Sequence, residues 1–195
     1  MSAIPPDAVH VVVDMQRVFA EATPWRVPSF GTVLPNVLRL ARHCPERTVM
    51  TRFVTPRNAA AARGSWRGYY ERWPEVTLER MPRAMLDVVA PLAELAPRAL
   101  VADKRTYSSF ESAPFRRALR SLGGDTLILS GVETDVCVLA TAYAAVDRGL
   151  HVVVATDAVT GFSLDSHMAI VDHVYPRIPE QVALMTTDAI LAAWR

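Results

Sequence analysis

The sequence predicts an α/β domain of three layers, in which a six-stranded, mainly parallel sheet is covered by helices on both faces. Three observations lead there. Short apolar runs rich in β-branched residues recur along the chain, each suited to a strand buried on both faces. The segments between them are long enough to hold helices, and several repeat apolar residues at helical spacing. No internal repeat, charge block or low-complexity linker divides the 195 residues, so residues 1–195 read as a single domain. Strands and helices alternating at this spacing require right-handed crossovers and a largely parallel sheet.

Taken in order, the first strand is Ala8 to Val13, an almost continuous apolar run that ends at Asp14. Arg47 to Val54, Ala99 to Ala102, Thr126 to Val132, His151 to Ala155 and Gln181 to Met185 supply the other five. Phe115, Leu119 and Leu122 mark a helix before the fourth strand, and Val138, Tyr143 and Val146 one after it. Ile170, Val174 and Ile178 mark another before the last strand. Pro56 to Val76 breaks the pattern, with Arg57, Arg63, Arg67 and Arg72 interleaved with Trp66, Tyr69, Tyr70 and Trp73. Arginines among aromatics can hold single-stranded nucleic acid. In a chain of balanced charge, the preferred reading is a long loop that covers a pocket or packs on another subunit.

Composition narrows the class. Hydrophobic residues make up 51% and charged residues 21%, which fits a compact soluble domain with a large core. A formal net charge of +1 gives no broad field for capturing nucleic acid or an anionic membrane. The longest uncharged apolar run, Val136 to Val146, is about half of the roughly 20 residues a spanning helix needs, and Met1 to Asp7 lacks the regions of a signal peptide. A cytoplasmic protein is expected. Two cysteines, Cys44 and Cys137, are too few for a disulfide framework.

Ligands of parallel sheets bind at the carboxyl ends of strands, and three chemically useful residues fall there. Asp14 follows Val11, Val12 and Val13, and Lys104 ends the third strand. Cys137 lies in SGVETDVCVLATAYAAV, where a strand runs through Gly131 into a helix. Thr134 suits the N-cap and Asp135 the first turn. Free N–H groups and the helix dipole there lower a thiol pKa, which makes a nucleophile. An inert core cysteine remains an open reading, as do a capping role for Asp14 and a solvated one for Lys104. Cys44, before Pro45, reads as structural. Together the three form a set that needs no metal: Asp14 to move the thiol proton, Lys104 to hold carboxylate and thiolate, and backbone N–H groups between Glu133 and Cys137 to meet an oxyanion.

VVVDMQRVF with Asp14, DKRTYSSF with Lys104 and SGVETDVCVLATAYAAVDRG with Cys137 resemble, over nearly the whole chain and in order, the isochorismatase-like cysteine hydrolases. That resemblance implies the three-layer fold with a Rossmann-like strand order, a triad of Asp14, Lys104 and Cys137, and a covalent acyl-type intermediate. It also implies a cis Val132–Glu133 peptide, an oxyanion hole at the N–H groups of Glu133 and Cys137, no cofactor, and a homo-oligomer, dimer or tetramer. Nicotinamidases of the family carry an Asp-x-His metal motif after the second strand, where this chain has Thr51-Arg52-Phe53-Val54-Thr55. Zinc or iron is not expected, and His43, His151, His167 and His173 offer no ligand cluster by spacing.

The sequence therefore favours hydrolysis of a small amide, carbamoyl or ureido compound. Members that cleave isochorismate's vinyl ether can lack the cysteine. Vinyl ether hydrolysis and a non-catalytic binding protein of the same fold stay open. A dinucleotide-binding oxidoreductase is disfavoured, because Asp14-Met15-Gln16 stands where a glycine-rich loop would follow the first strand. For the substrate, Arg52 at a strand end suits a carboxylate or equally a structural salt bridge, while Phe19, Tyr107 and Phe162 fit the pocket wall or equally the core. Gln16 is assigned no chemical role, and His167 is expected to pack a helix.

Overall fold

The computed structural model describes residues 4–195. Six parallel strands form one sheet: β1 Val9–Val13, β2 Thr48–Phe53, β3 Leu100–Lys104, β4 Thr126–Val132, β5 His151–Thr160 and β6 Val182–Met185. Their spatial order is β3-β2-β1-β4-β5-β6, with every pair parallel. The chain winds outward from β1 in one direction, returns, and winds outward from β4 in the other. The crevice between the carboxyl ends of β1 and β4 is thus the switch point at which ligands of such sheets bind.

Eight α-helices accompany the strands among the described residues: α1 Arg17–Ala20, α2 Phe30–His43, α3 Trp66–Arg72, α4 Ala90–Ala93, α5 Ala113–Leu122, α6 Leu139–Val146, α7 Leu164–Ala169 and α8 Thr187–Ala193. α2 and α8 pack together against one face of the sheet, over β1, β4 and β5; α5 covers β2 and β3, and α6 covers β5, from the other. β1 and β4 are buried along their whole length, which explains their unbroken apolar sequences. α5 is opened by Pro114 in its first turn and by Ser112, whose hydroxyl accepts the N–H of Phe115, and Gly123 ends it at φ +67°.

Three elements differ from the sequence reading: the Pro56 to Val76 segment, expected as a long loop, carries helix α3, and the end of β5 and the segment after α7 also depart from it. β5 continues five residues past Ala155, because a register shift opposite Leu129 and Gly131 lets Val159 and Thr160 pair with Gly131 and Val132. Thr156 and Asp157 interrupt the apolar run, and Asp157 instead takes the N–H and hydroxyl of Thr187 at 2.7 and 2.8 Å to start α8. The expected helix over Ile170, Val174 and Ile178 is α7 followed by a wide turn, Ile170–Val174, and a 3₁₀ turn opened by Pro176. A proline there has no N–H to continue the α-helical ladder.

Gly131 positions the crevice. Its φ is +108°, and a Cβ would fall 2.1 Å from the carbonyl oxygen of Val13, so only glycine allows β1 and β4 to meet at this point. Gln16 supports the same edge: its amide nitrogen donates to the carbonyls of Phe53 and Leu86 at 3.2 and 2.7 Å, and its oxygen accepts the N–H of Phe53 at 2.6 Å. One buried side chain ties the turn after β1 to β2 and to the segment before α4.

Candidate active site

Asp14 leaves β1 with φ +51°, a left-handed conformation that asparagine and aspartate tolerate better than other side chains. It is fully buried and held by Thr51, whose hydroxyl donates to Oδ1 at 2.7 Å and accepts the Asp14 N–H at 3.2 Å. Thr51 and Phe53 face the site from β2, since alternate residues of a strand share a face. Lys104, at the end of β3, extends beneath Phe53 with Nζ 4.6 Å from the ring centroid. That ammonium lies 2.7 Å from Asp14 Oδ2 and donates to Cys137 Sγ at 3.2 Å and to the carbonyls of Thr106 and Tyr107 at 3.0 and 3.1 Å. The structure therefore brings together Asp14, Lys104 and Cys137 from the ends of three strands.

Cys137 sits in a wide π-helical turn, Thr134–Val138, that precedes α6. The Val132–Glu133 peptide is cis. Thr134 is not the cap expected from sequence. The turn begins at Glu133, whose carbonyl accepts the N–H groups of Val136 and Val138 at 3.2 and 3.0 Å. The Thr134 hydroxyl instead bonds Nδ1 of the buried His167 at 2.9 Å, pinning α7 to the cysteine turn.

Electrostatics also correct the expectation of a lowered thiol pKa. Burial pushes the Cys137 thiol up; the Lys104 ammonium pulls it down and the Asp14 carboxylate pushes it further up. Burial alone would lower Lys104, but Asp14 and Cys137 outweigh it and its pKa is raised. Burial thus favours the neutral thiol at Cys137, and the adjacent Lys104 ammonium is the group that offsets it.

A cavity of about 200 Å³ opens onto Cys137. Phe19, Trp25, Phe53, Tyr69 and Tyr107 make an aromatic wall, completed by Glu133 and Val136. The rings touch one another: Trp25 stacks on Phe19 at 5.9 Å between centroids and meets Phe53 edge-on at 5.8 Å and Tyr69 at 5.8 Å. Tyr69 belongs to α3, in the Pro56 to Val76 segment, and Trp66 of the same helix packs on Tyr107 at 4.8 Å. The segment covers the pocket, one of the two roles its sequence suggests.

Of the expected wall residues, Phe19 and Tyr107 line the cavity. Phe162 does not: its side chain is 60% exposed, and only its backbone N–H reaches the site, donating to Glu133 Oε2 at 3.0 Å. Arg52 is a second correction. It alternates with Thr51 and Phe53 and so faces the opposite side of the sheet, where it binds Asp103 at 2.7 and 3.1 Å and lies 3.6 Å from Asp87. Thr51 and the Glu133 side chain were missed by sequence reasoning. Thr51 was findable, since the residue flanked by Met50 and Arg52 must share the face of Phe53. Trp25 carries no such signal, because a loop brings it in, whereas Tyr69 arrives on α3 in the segment whose aromatics suggested a cover. Among the described residues no group of three or more His, Cys, Asp and Glu is arranged to hold a metal ion.

Comparison with known proteins identifies the family and the fold. A model of the isochorismatase domain matches residues 8–189. Among curated relatives, the uncharacterized isochorismatase family protein YecD of Escherichia coli O157:H7 is 36% identical over 75 residues, a match spanning 38% of this chain and only 40% of that protein's length. Phenazine biosynthesis protein PhzD1 of Pseudomonas aeruginosa is 26% identical over 189 residues, covering 96% of this chain and 86% of that one. Among solved structures, a cysteine hydrolase from Pseudomonas syringae pv. phaseolicola superimposes with a TM-score of 0.84 at 24% identity, covering 100% of this chain and 95% of that one. N-carbamoylsarcosine amidase from Thermoplasma acidophilum gives 0.69 at 20% identity, covering 93% and 96%. At such identities these structures show the shared fold.

Proposed function

The chain belongs to the isochorismatase family and is a hydrolase, and from that premise we propose that it is a metal-independent cysteine hydrolase cleaving a C–N bond of a small amide, carbamoyl or ureido compound. The observation that carries this reading is the contact of one buried ammonium with both partners, 2.7 Å from Asp14 Oδ2 and 3.2 Å from Cys137 Sγ. The likeness in fold to a cysteine hydrolase and to N-carbamoylsarcosine amidase is consistent with it.

In this mechanism the Cys137 thiol gives its proton to Asp14 as sulfur attacks the substrate carbonyl. Lys104 stabilises the developing thiolate, which offsets the burial that otherwise holds the proton on sulfur. The N–H groups of Glu133 and Cys137 meet the tetrahedral oxyanion. The C–N bond breaks as Asp14 returns the proton to the leaving nitrogen, leaving an acyl group on Cys137. Water, deprotonated by Asp14, then hydrolyses that thioester and restores the thiol. The turn residues supply donors without cost because a helix start leaves N–H groups unpaired.

The test is ammonia release from a panel of small amides and ureido compounds, with and without chelator, for the native protein and Cys137→Ala. Release that survives chelation and falls at least about 10³-fold in the variant is expected, since the nucleophile is lost. Release unchanged in Cys137→Ala, or lost on chelation and restored by metal, would refute the proposal.

A further inference from the structure

Building on the cysteine hydrolase reading, we propose that Glu133 is a specificity-determining residue whose carboxylate selects substrates bearing a positive charge, an ammonium or alkylammonium group, and repels anionic ones. Three features of the cavity carry this. The first is its wall of aromatic side chains, Phe19, Trp25, Phe53, Tyr69 and Tyr107. Aromatic rings attract a cation and give an anion no donor in return.

The second is Glu133 itself. The N–H of Phe162 fixes Oε2 at 3.0 Å and so holds the carboxylate at the wall beside Cys137. Its charge reaches across the cavity: after burial, Glu133 is among the groups that push up the phenols of Tyr69 and Tyr107.

The third is that, among the described residues, no cationic side chain lines the cavity. Lys104 is committed to Asp14, Cys137 and the carbonyls of Thr106 and Tyr107, which leaves no donor for a substrate carboxylate. Arg52, the guanidinium expected from sequence to bind an anion, is paired with Asp103 on the other face of the sheet. An anionic substrate would enter about 200 Å³ of aromatic space and meet the Glu133 carboxylate. The chemistry points instead to a small cationic amide or ureido compound, with its charged group among the rings and its carbonyl at Cys137.

Thiol modification reads this charge preference without any turnover. In a Cys44→Ala background, Cys137 is treated separately with aminoethyl, ethyl and sulfonatoethyl methanethiosulfonate, and each rate is measured by mass spectrometry and divided by that for a free thiol. The expected result is a cationic-to-anionic ratio of about tenfold or more, dropping about tenfold in Glu133→Gln, as one close charge in a partly dry site requires. The amide oxygen of that variant keeps an acceptor for the Phe162 N–H, and a circular dichroism spectrum checks the fold. An anionic reagent that reacts as fast as the cationic one, or a ratio unmoved by Glu133→Gln, overturns the proposal. Failure of even the neutral reagent to reach Cys137 overturns it together with the cysteine hydrolase reading, whereas failed ammonia release with a normal charge ratio counts against that reading alone.

Discussion

Lys104 shows how much one residue carries. Its side chain and that of Asp14 are both removed from water, and such a pair is tolerable only while each charge has the other. Lys104→Met leaves a buried carboxylate with Thr51 as its remaining side-chain partner, and a loss of about 3–5 kcal/mol in urea unfolding is expected. Adding Asp14→Asn should recover part of that loss without restoring activity. A Lys104→Met protein as stable as the native one would show that the pair is not what holds this edge. At this scale the sequence placed Asp14, Lys104 and Cys137 together, because Asp14 follows β1, Lys104 ends β3 and Cys137 lies in the turn after β4. It did not expose direction: Arg52 sits at an equally suggestive strand end yet turns away from the site, and the Glu133 side chain was overlooked behind its backbone role.

Among elements, the pairing of β1 with β4 matters most, since it sets the distance between the Asp14 turn and the Cys137 turn. His10 lies in that seam, fully buried, with Nε2 2.8 Å from the Ser130 hydroxyl. Burial lowers its pKa from 6.5 to about 3. The folded protein thus refuses a proton that the unfolded chain accepts below about pH 6.5, so stability is whole above that pH and declines as pH falls toward 3. At its steepest the loss is about 1.4 kcal/mol per pH unit. Urea midpoints measured from pH 7.5 to 5 should fall with acid in the native protein and less steeply in His10→Asn; identical slopes would remove His10 as the cause. The strands were readable from their apolar runs. The end of β5 was not, because its pairing past Ala155 depends on a register shift created jointly with β4. The break after α7 was hinted at only by Pro176.

At the level of the whole molecule, strand order explains why the site is where it is. Parallel strands with crossovers on both faces leave one crevice at the switch between β1 and β4, and Asp14 and Cys137 occupy its two sides. Among the described residues no helix is long and apolar enough to cross a membrane. The layered architecture was legible because burial on both faces dictates composition. The pocket was less so: its wall is assembled from the loop holding Trp25, the end of β2, α3 and the loop at Tyr107, and no local periodicity encodes that meeting. The interleaved aromatics of the Pro56 to Val76 segment gave the one visible hint, a covering element of Trp66 and Tyr69.

Covalent catalysis by Cys137 is the central claim, and trapping tests it most directly. Protein turning over an amide or ureido substrate is quenched in acid, and its intact mass and peptides are measured. The account predicts the substrate's acyl group on the peptide containing Cys137 and an unmodified, inactive Cys137→Ser variant. Turnover that persists in Cys137→Ser, with no adduct on Cys137 at any time in the native protein, would contradict it.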